Sequence, residues 1–178
     1  LKIPVFRGSE DDVLDRYYCA ANEHYAEVIV RITSDCPMID PDVIDHVVLT
    51  FFRKKPDYAS NGLSRTYPRG LDTEVMSLDA LKKAWKHATL PYQRAHVTPY
   101  IHTNPKIFRL ESVSCDVKAS HYRWTVDTQE DLALVRELYS RLGNNDDFSW
   151  RDAFSLMIRD PGLTIINRHV EHKSMEEG

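Results

Sequence analysis

A chain of 178 residues, 42% of them hydrophobic, is long enough to bury one good core, and a single domain spanning residues 1–178 is the expectation. A formal net charge of −4 and a pI near 6.1 exclude the broad basic face that nucleic acid or a membrane surface demands. Cys19, Cys36 and Cys115 are odd in number and not ligand-spaced, which fits a reduced, cytoplasmic setting; the sequence has no signal peptide, no repeat and no apolar run of about 18 residues.

In chain order, "KIPVF" predicts a strand, and Ser9 with Asp12 predicts a capping box opening a helix to about Tyr25, with Val13, Leu14, Tyr17, Tyr18 and Ala21 on its buried face. "EVIVRIT" is a continuous β-branched run of the kind buried on both faces of a sheet. Asp40 caps a helix that starts at Pro41 and turns Val43, Ile44, Val47 and Val48 to the core. "DYAS" predicts a short strand, whereas "NGLSRTYPRGLD", residues 61–72, has loop chemistry throughout. Ser77 caps an amphipathic helix, "LDALKKAWKHA", and "QRAHVTPYIHTN" reads as a short or broken helix. "KIFRLESV" and "HYRWTV" predict strands. Thr128 and Asp131 form a further capping box, with Leu132, Val135, Leu138, Tyr139 and Leu142 in helical phase and Gly143 as terminator. A last helix over about Trp150 to Ile158 leads into a polar tail. The alternation predicts an α/β sandwich with a mostly parallel sheet.

Ligands of such sheets bind beyond the carboxyl ends of the strands. Asp35 follows the strand ending near Thr33, and Asp127 follows the strand ending near Val126, so both face one edge. If those strands are neighbours, the two carboxylates suit a hard divalent cation such as Mg²⁺, which takes few protein ligands and leaves room for phosphate oxygens. The competing reading is helix capping: Asp127 directly precedes the cap Thr128, while Asp35 is freer because Asp40 already serves the next helix. Asp40-Pro41-Asp42 has D-x-D form but reads as a helix start. His24, His46, His87 and His102 lack paired metal spacing and read as surface or packing residues; His96, beside Arg94 in a loop-like stretch, is the exception. There is no P-loop, GxGxxG or GxSxG, and no sign of a nucleophile triad.

The segments "VFRGSEDDVLDRYYCAA", "VIVRITSDCPMIDPDVID", "DYASNGLSRTYPRGLDTEV", "RAHVTPYI" and "RWTVDTQEDLALVR" occur in the order found in the spore-coat polysaccharide biosynthesis protein F family, which the chain resembles over nearly its whole length. That family looks like a group of cytidylyltransferases related to the CMP-KDO and CMP-acylneuraminate synthetases. The resemblance implies a three-layer α/β sandwich with a mostly parallel mixed sheet, of the nucleotide-diphospho-sugar transferase (glycosyltransferase-A) type. It also implies a reaction: an acid sugar's hydroxyl attacks the α-phosphate of CTP, releasing pyrophosphate and leaving a CMP-sugar for surface or spore-coat polysaccharide. Mg²⁺ is the implied cofactor, CTP and an acid sugar are the implied partners, and a homodimer stays open. By position, Asp35 and Asp127 match the catalytic, metal-binding aspartates, the latter within D-T-x-x-D-L; Gly8, Ser9 and Arg16 fall on the nucleoside side, with Arg31 beside the metal. Arg65, Arg69 and Arg94 suit an acceptor carboxylate or phosphate, Asp72 and Glu74 suit sugar hydroxyls, and His96 falls with them on the acceptor side.

Two departures qualify the match. The sequence opens directly on "LKIPVFRG", without the family's first strands and the G-S-x-R-L-P-x-K loop that grips the triphosphate; the expectation is therefore the C-terminal two-thirds or more of the family domain, with apolar strand edges uncovered. Ala95 also stands where the family reads R-E-H-V-T. The alternatives are a glycosyltransferase of similar fold, which wants a D-x-D after a strand, and a non-catalytic nucleotide-binding module.

Overall fold

The computed structural model describes residues 3–171. Its elements are α1 (Val13–Glu23), β1 (Val28–Arg31), α2 (Pro41–Lys54), β2 (Tyr58–Ser60), β3 (Glu74–Ser77), α3 (Leu78–His87), α4 (Pro91–His96), α5 (Pro99–His102), β4 (Leu110–Ser112), α6 (Gln129–Arg141), α7 (Trp150–Arg159) and α8 (Gly162–Ile165). The strands form one sheet in the order β1-β3-β2-β4. β3 runs antiparallel to both neighbours and β2 runs parallel to β4, so three of the four strands share a direction and the sheet is mixed.

The alternation of side chains along short strands builds the layers. Ala59 and Val75 face α2, where they meet Val47 and Phe51. Their neighbours Tyr58 and Met76 face the other way, onto Leu14 of α1, Leu81 and Ala84 of α3 and Ile101 of α5. Helices on both faces of the sheet give the three-layer α/β sandwich. A further core holds Leu71 and Trp124 against Leu134 and Leu138 of α6 and Trp150 and Met157 of α7.

The helix signals read from the sequence correspond to cap geometry. Ser77 accepts from Ala80 N–H at 3.1 Å, and Thr128 with Asp131 closes the reciprocal capping box of α6. At α1 the cap is Asp12, which accepts from Asp15 N–H at 2.9 Å, while Ser9 accepts from Asp12 N–H one turn earlier. Asp40 caps α2 through Asp42 N–H and also accepts Trp150 N–H at 2.7 Å, so both its oxygens serve helix starts rather than a metal.

Two strand expectations need correction, and one strand was not expected. Residues 3–7 of "KIPVF" and its continuation form no strand, and Ile3 and Val5 are exposed, because no neighbouring backbone lies alongside to complete a ladder. "HYRWTV" is not a ladder strand either. It lies against loops, with one isolated bridge between Arg69 and Arg123. Conversely, Glu74–Ser77 is a central strand that the loop-like composition before it concealed.

Candidate active site

A cavity of about 560 Å³ opens where β1 and β2 end and β3 begins. Among its walls are Arg31, Asp35, Arg65, Arg69, Asp72, Glu74, His96 and Asp127, eight residues singled out from the sequence alone. Arg94, Gly8, Ser9 and Arg16 are not in its lining. Arg16 donates to the Ser9 carbonyl at 3.0 Å, and Arg94 donates to Asp12 and to the Trp85 carbonyl, so these groups organise the entrance to α1 and its junction with α4.

The segment after Trp124 joins the two candidate metal carboxylates. Val126 N–H donates to the Asp35 carbonyl at 2.8 Å, and Thr125 Oγ1 donates to Asp35 Oδ2 at 3.0 Å. Asp127 therefore starts one residue beyond a bond to Asp35. Burial pushes the Asp35 carboxyl upward, but hydrogen bonds from Thr33, Thr125 and its own backbone outweigh that and hold it below the ordinary value of 3.8. Beside it the Cys36 thiol is pushed up to about 11, chiefly by burial, and stays protonated. Asp127 does not cap α6: Thr128 does, and the Asp127 carboxylate instead takes a bond from Arg123 while half its side chain stays exposed to the cavity.

Arg123 is itself fixed from below. Its Nε and Nη2 donate to the two oxygens of the fully buried Asp131 at 2.9 and 3.0 Å, and Asn167 donates to the same carboxylate at 2.9 Å. The arrangement presents Asp127 on a rigid base. Asp35 and Asp127 are the candidate metal carboxylates, while the other cavity acids, Asp72 and Glu74, are paired with Arg65 and Arg31; among the described residues no cluster of three or more His, Cys, Asp or Glu side chains could hold a metal.

The floor of the cavity is a saturated carboxylate. Glu74 accepts from Arg31, from Tyr58 Oη and, at 2.6 Å, from Thr98 Oγ1. The opposite wall is the loop 61–73. Asn61, fully buried, donates to the Leu71 carbonyl at 2.7 Å and accepts from Thr73 N–H at 2.9 Å, which staples the loop closed. Inside it Arg65 pairs with Asp72, whose other oxygen accepts Gly70 N–H at 3.0 Å. Arg65 Nη1 and Arg31 Nε are enclosed N–H groups with no partner among the described residues. The Arg69 guanidinium is held below its ordinary value, first by burial and then by the neighbouring Arg65 charge. Two close cations facing a cavity are an environment that an anion relieves.

The fourth side carries His96 and Thr98 around Val97, which has φ 72° and ψ −56°. Thr98 N–H donates to the His96 carbonyl at 2.8 Å, closing a three-residue turn that a β-branched residue rarely adopts. The sequence reading missed Tyr58, Asn61, Thr98, Thr125, Arg123 and His102 as site or support residues. His102, read from the sequence as a surface or packing residue, left no local signal of its place in the cavity wall.

Known proteins resemble this chain in sequence and in fold. The model of a family described as cytidylyltransferase matches residues 1–149. An uncharacterized protein of Methanocaldococcus jannaschii is 41% identical over 181 residues, covering 99% of this chain and 72% of that protein. The spore coat polysaccharide biosynthesis protein SpsF of Bacillus subtilis is 33% identical over 164 residues, covering 88% of this chain and 65% of that protein. The solved structure of a cytidylyltransferase from Leptospira borgpetersenii serovar Hardjo-bovis superposes with a TM-score of 0.89 at 33% identity, over 96% of this chain and 72% of that one. The family match over most of the chain, together with the 33% identical SpsF and the cytidylyltransferase structure of the same fold, shows that the chain belongs to the cytidylyltransferase family, whose members are nucleotidyltransferases.

Proposed function

We propose that the site transfers the cytidylyl group of CTP to a hydroxyl of an acid sugar, releasing pyrophosphate. The observation that carries this reading is the joining of Asp35 and Asp127 at one cavity mouth through the Thr125–Val126 bonds. Asp35 and Asp127 would hold Mg²⁺, which when bound supplies neutralisation of phosphate charge. Arg65 and Arg69 receive the acceptor's carboxylate, and the Glu74 network fixes the floor on which the sugar rests. CMP-sugar for surface or spore-coat polysaccharide is the product this reading assigns, with the cytoplasm as its location and residues 1–178 acting as one unit. No helix among the described residues is long and apolar enough to cross a membrane. A glycosyltransferase reading loses its motif, because Asp40 and Asp42 belong to a helix start.

The test is pyrophosphate release from CTP and Mg²⁺ in the presence of acid sugars, N-acetylneuraminate and 3-deoxy-manno-octulosonate first. Asp35→Asn and Asp127→Asn should each abolish release, and the double variant should lose little more than either alone, since the two act as one unit. The Asp127→Asn protein should keep its melting temperature, its side chain being half exposed. Near-normal release by that variant would remove the metal pair from the mechanism.

A further inference from the structure

In the reaction just proposed, on which this inference rests, the attacking hydroxyl loses its proton as its oxygen bonds to the α-phosphorus. Pyrophosphate leaves with the electron pair of the phosphorus–oxygen bond that breaks. The proton needs an acceptor, and most groups in the cavity are committed. Glu74 already accepts from Arg31, Tyr58 and Thr98. Asp72 faces Arg65, Asp127 faces Arg123, and Asp35 accepts from Thr125. The Cys36 thiol and Tyr58 hydroxyl keep their own protons, since burial raises both.

Two imidazoles remain, His96 and His102. His96 Nε2 is enclosed, without a partner among the described residues and shut away from the cavity solvent. His102, the last residue of α5, lines the cavity with no hydrogen bond to its ring among the described residues, and neither of its nitrogens is sealed in this way. Its ring leans on Tyr58, 6.4 Å between centroids. The geometry points to His102 as the general base that takes the proton of the attacking hydroxyl, with Glu74 beneath it stabilising the imidazolium that forms.

The electrostatics agree with that role. Burial lowers the His102 pKa below the ordinary 6.5 against the opposing pull of Glu74, so the ring is neutral at pH 7 and offers a lone pair. From β2 the neighbour is Tyr58, from β3 Glu74, and from β1 Arg31, which is paired with Glu74. The groups of α3, which packs against α5, are engaged elsewhere: His87 stacks on Tyr100 and Lys83 lies over Phe108. A neutral base whose conjugate acid meets a fixed carboxylate is the arrangement that positioned imidazoles use in acyl transfer.

The experiment measures pyrophosphate release across about pH 5 to 9, where an imidazole titrates, from CTP, Mg²⁺ and each of the two acid sugars named above. The wild-type chain, His102→Gln and His96→Gln are compared. The wild-type rate should fall on the acid side with an inflection below 6.5. His102→Gln should lower kcat by about 10²- to 10⁴-fold and lose that acid limb, while the CTP half-saturation and the CTP-dependent rise in melting temperature stay as in wild type. Those binding readouts separate a lost base from a disturbed fold. If wild type turns over and His102→Gln keeps both rate and acid limb, or His96→Gln alone removes them, the assignment to His102 is overturned and the cytidylyl reading stands. If wild type releases pyrophosphate with no acceptor, the cytidylyl reading itself fails and takes this assignment with it.

Discussion

Arg123 answers to two carboxylates, one buried and one at the cavity, and the physical consequences differ. Asp131 has no exposed side-chain surface, and its charge is held by Arg123, by Asn167 and by the N–H groups of Asp127 and Thr128. Removing one partner of such a buried pair leaves the other uncompensated, which costs about 3–5 kcal/mol. Asp131→Asn is therefore expected to lower the urea midpoint with an unchanged slope, whereas Asp127→Asn, which leaves the buried pair in place, should not. Equal midpoints for Asp131→Asn and wild type would mean that the pair is worth no more than a surface contact. His102 is the residue-scale counterexample to reading by type. Nothing in "PYIHTN" distinguishes it from a packing histidine until Glu74 and Tyr58 are brought beneath it.

The loop 61–73 is the element on which the acceptor side depends, and two residues give it a single shape. Gly70 has φ +102°, and a Cβ there would stand 2.6 Å from Thr125 N, because the loop backbone lies directly on the Trp124–Thr125 peptide. Gly70→Ala combines an unfavourable backbone region with a backbone clash and should cost more than about 1 kcal/mol. For a chain of this size that is a fall of at least about 2–4 °C in melting temperature. Asn61→Ala strands a buried N–H and a buried carbonyl, at about 1–3 kcal/mol. Both variants should also raise the acceptor KM more than the CTP KM, since Arg65 and Asp72 are carried by the same loop. Equal changes in the two KM values would place the loop on the nucleotide side. The loop was recognisable from its Gly, Pro and Asn content, but the strand that follows it was not. Glu74–Ser77 is four residues long, too short to show a pattern of its own after that loop, and it is a strand because β1 and β2 stand on either side to pair with it.

For the whole molecule, pH links these networks to stability. Asp12, Asp35 and Asp131 are each held below 3.8; burial opposes this in all three, and the outweighing bonds come from Arg94, from Thr33 and Thr125, and from Arg123 and Asn167 respectively. A carboxylate lowered in the folded state contributes stability that is fully present above its unfolded pKa and lost as pH falls through the folded one. His102 acts at higher pH. Because burial keeps it neutral, the unfolded chain binds its proton first and stability declines as pH falls below 6.5. Urea midpoints taken from pH 8 to 2 should show a shallow decline starting near 6.5, absent in His102→Gln, and a steep one below 3.8. A midpoint that stays level down to pH 3 would contradict the carboxylate networks.

The sequence by itself determined helices α2, α3 and α6 and their caps, because Ser77, Asp40 and the Thr128–Asp131 pair act on backbone groups within a few residues of themselves. It also placed Asp35 and Asp127 at strand-like ends, since a carboxylate after an apolar run is a local pattern. What only the tertiary structure decided is which backbones lie side by side. "KIPVF" and "HYRWTV" have strand composition, yet residues 3–6 and 121–126 form no ladder, while Glu74–Ser77 sits at the centre of the sheet. The reason is that a strand is defined by its neighbours' hydrogen bonds and a helix by its own. The same distinction separates Arg94, drawn to Asp12 and out of the cavity, from His102, drawn into it by α5 folding over the sheet.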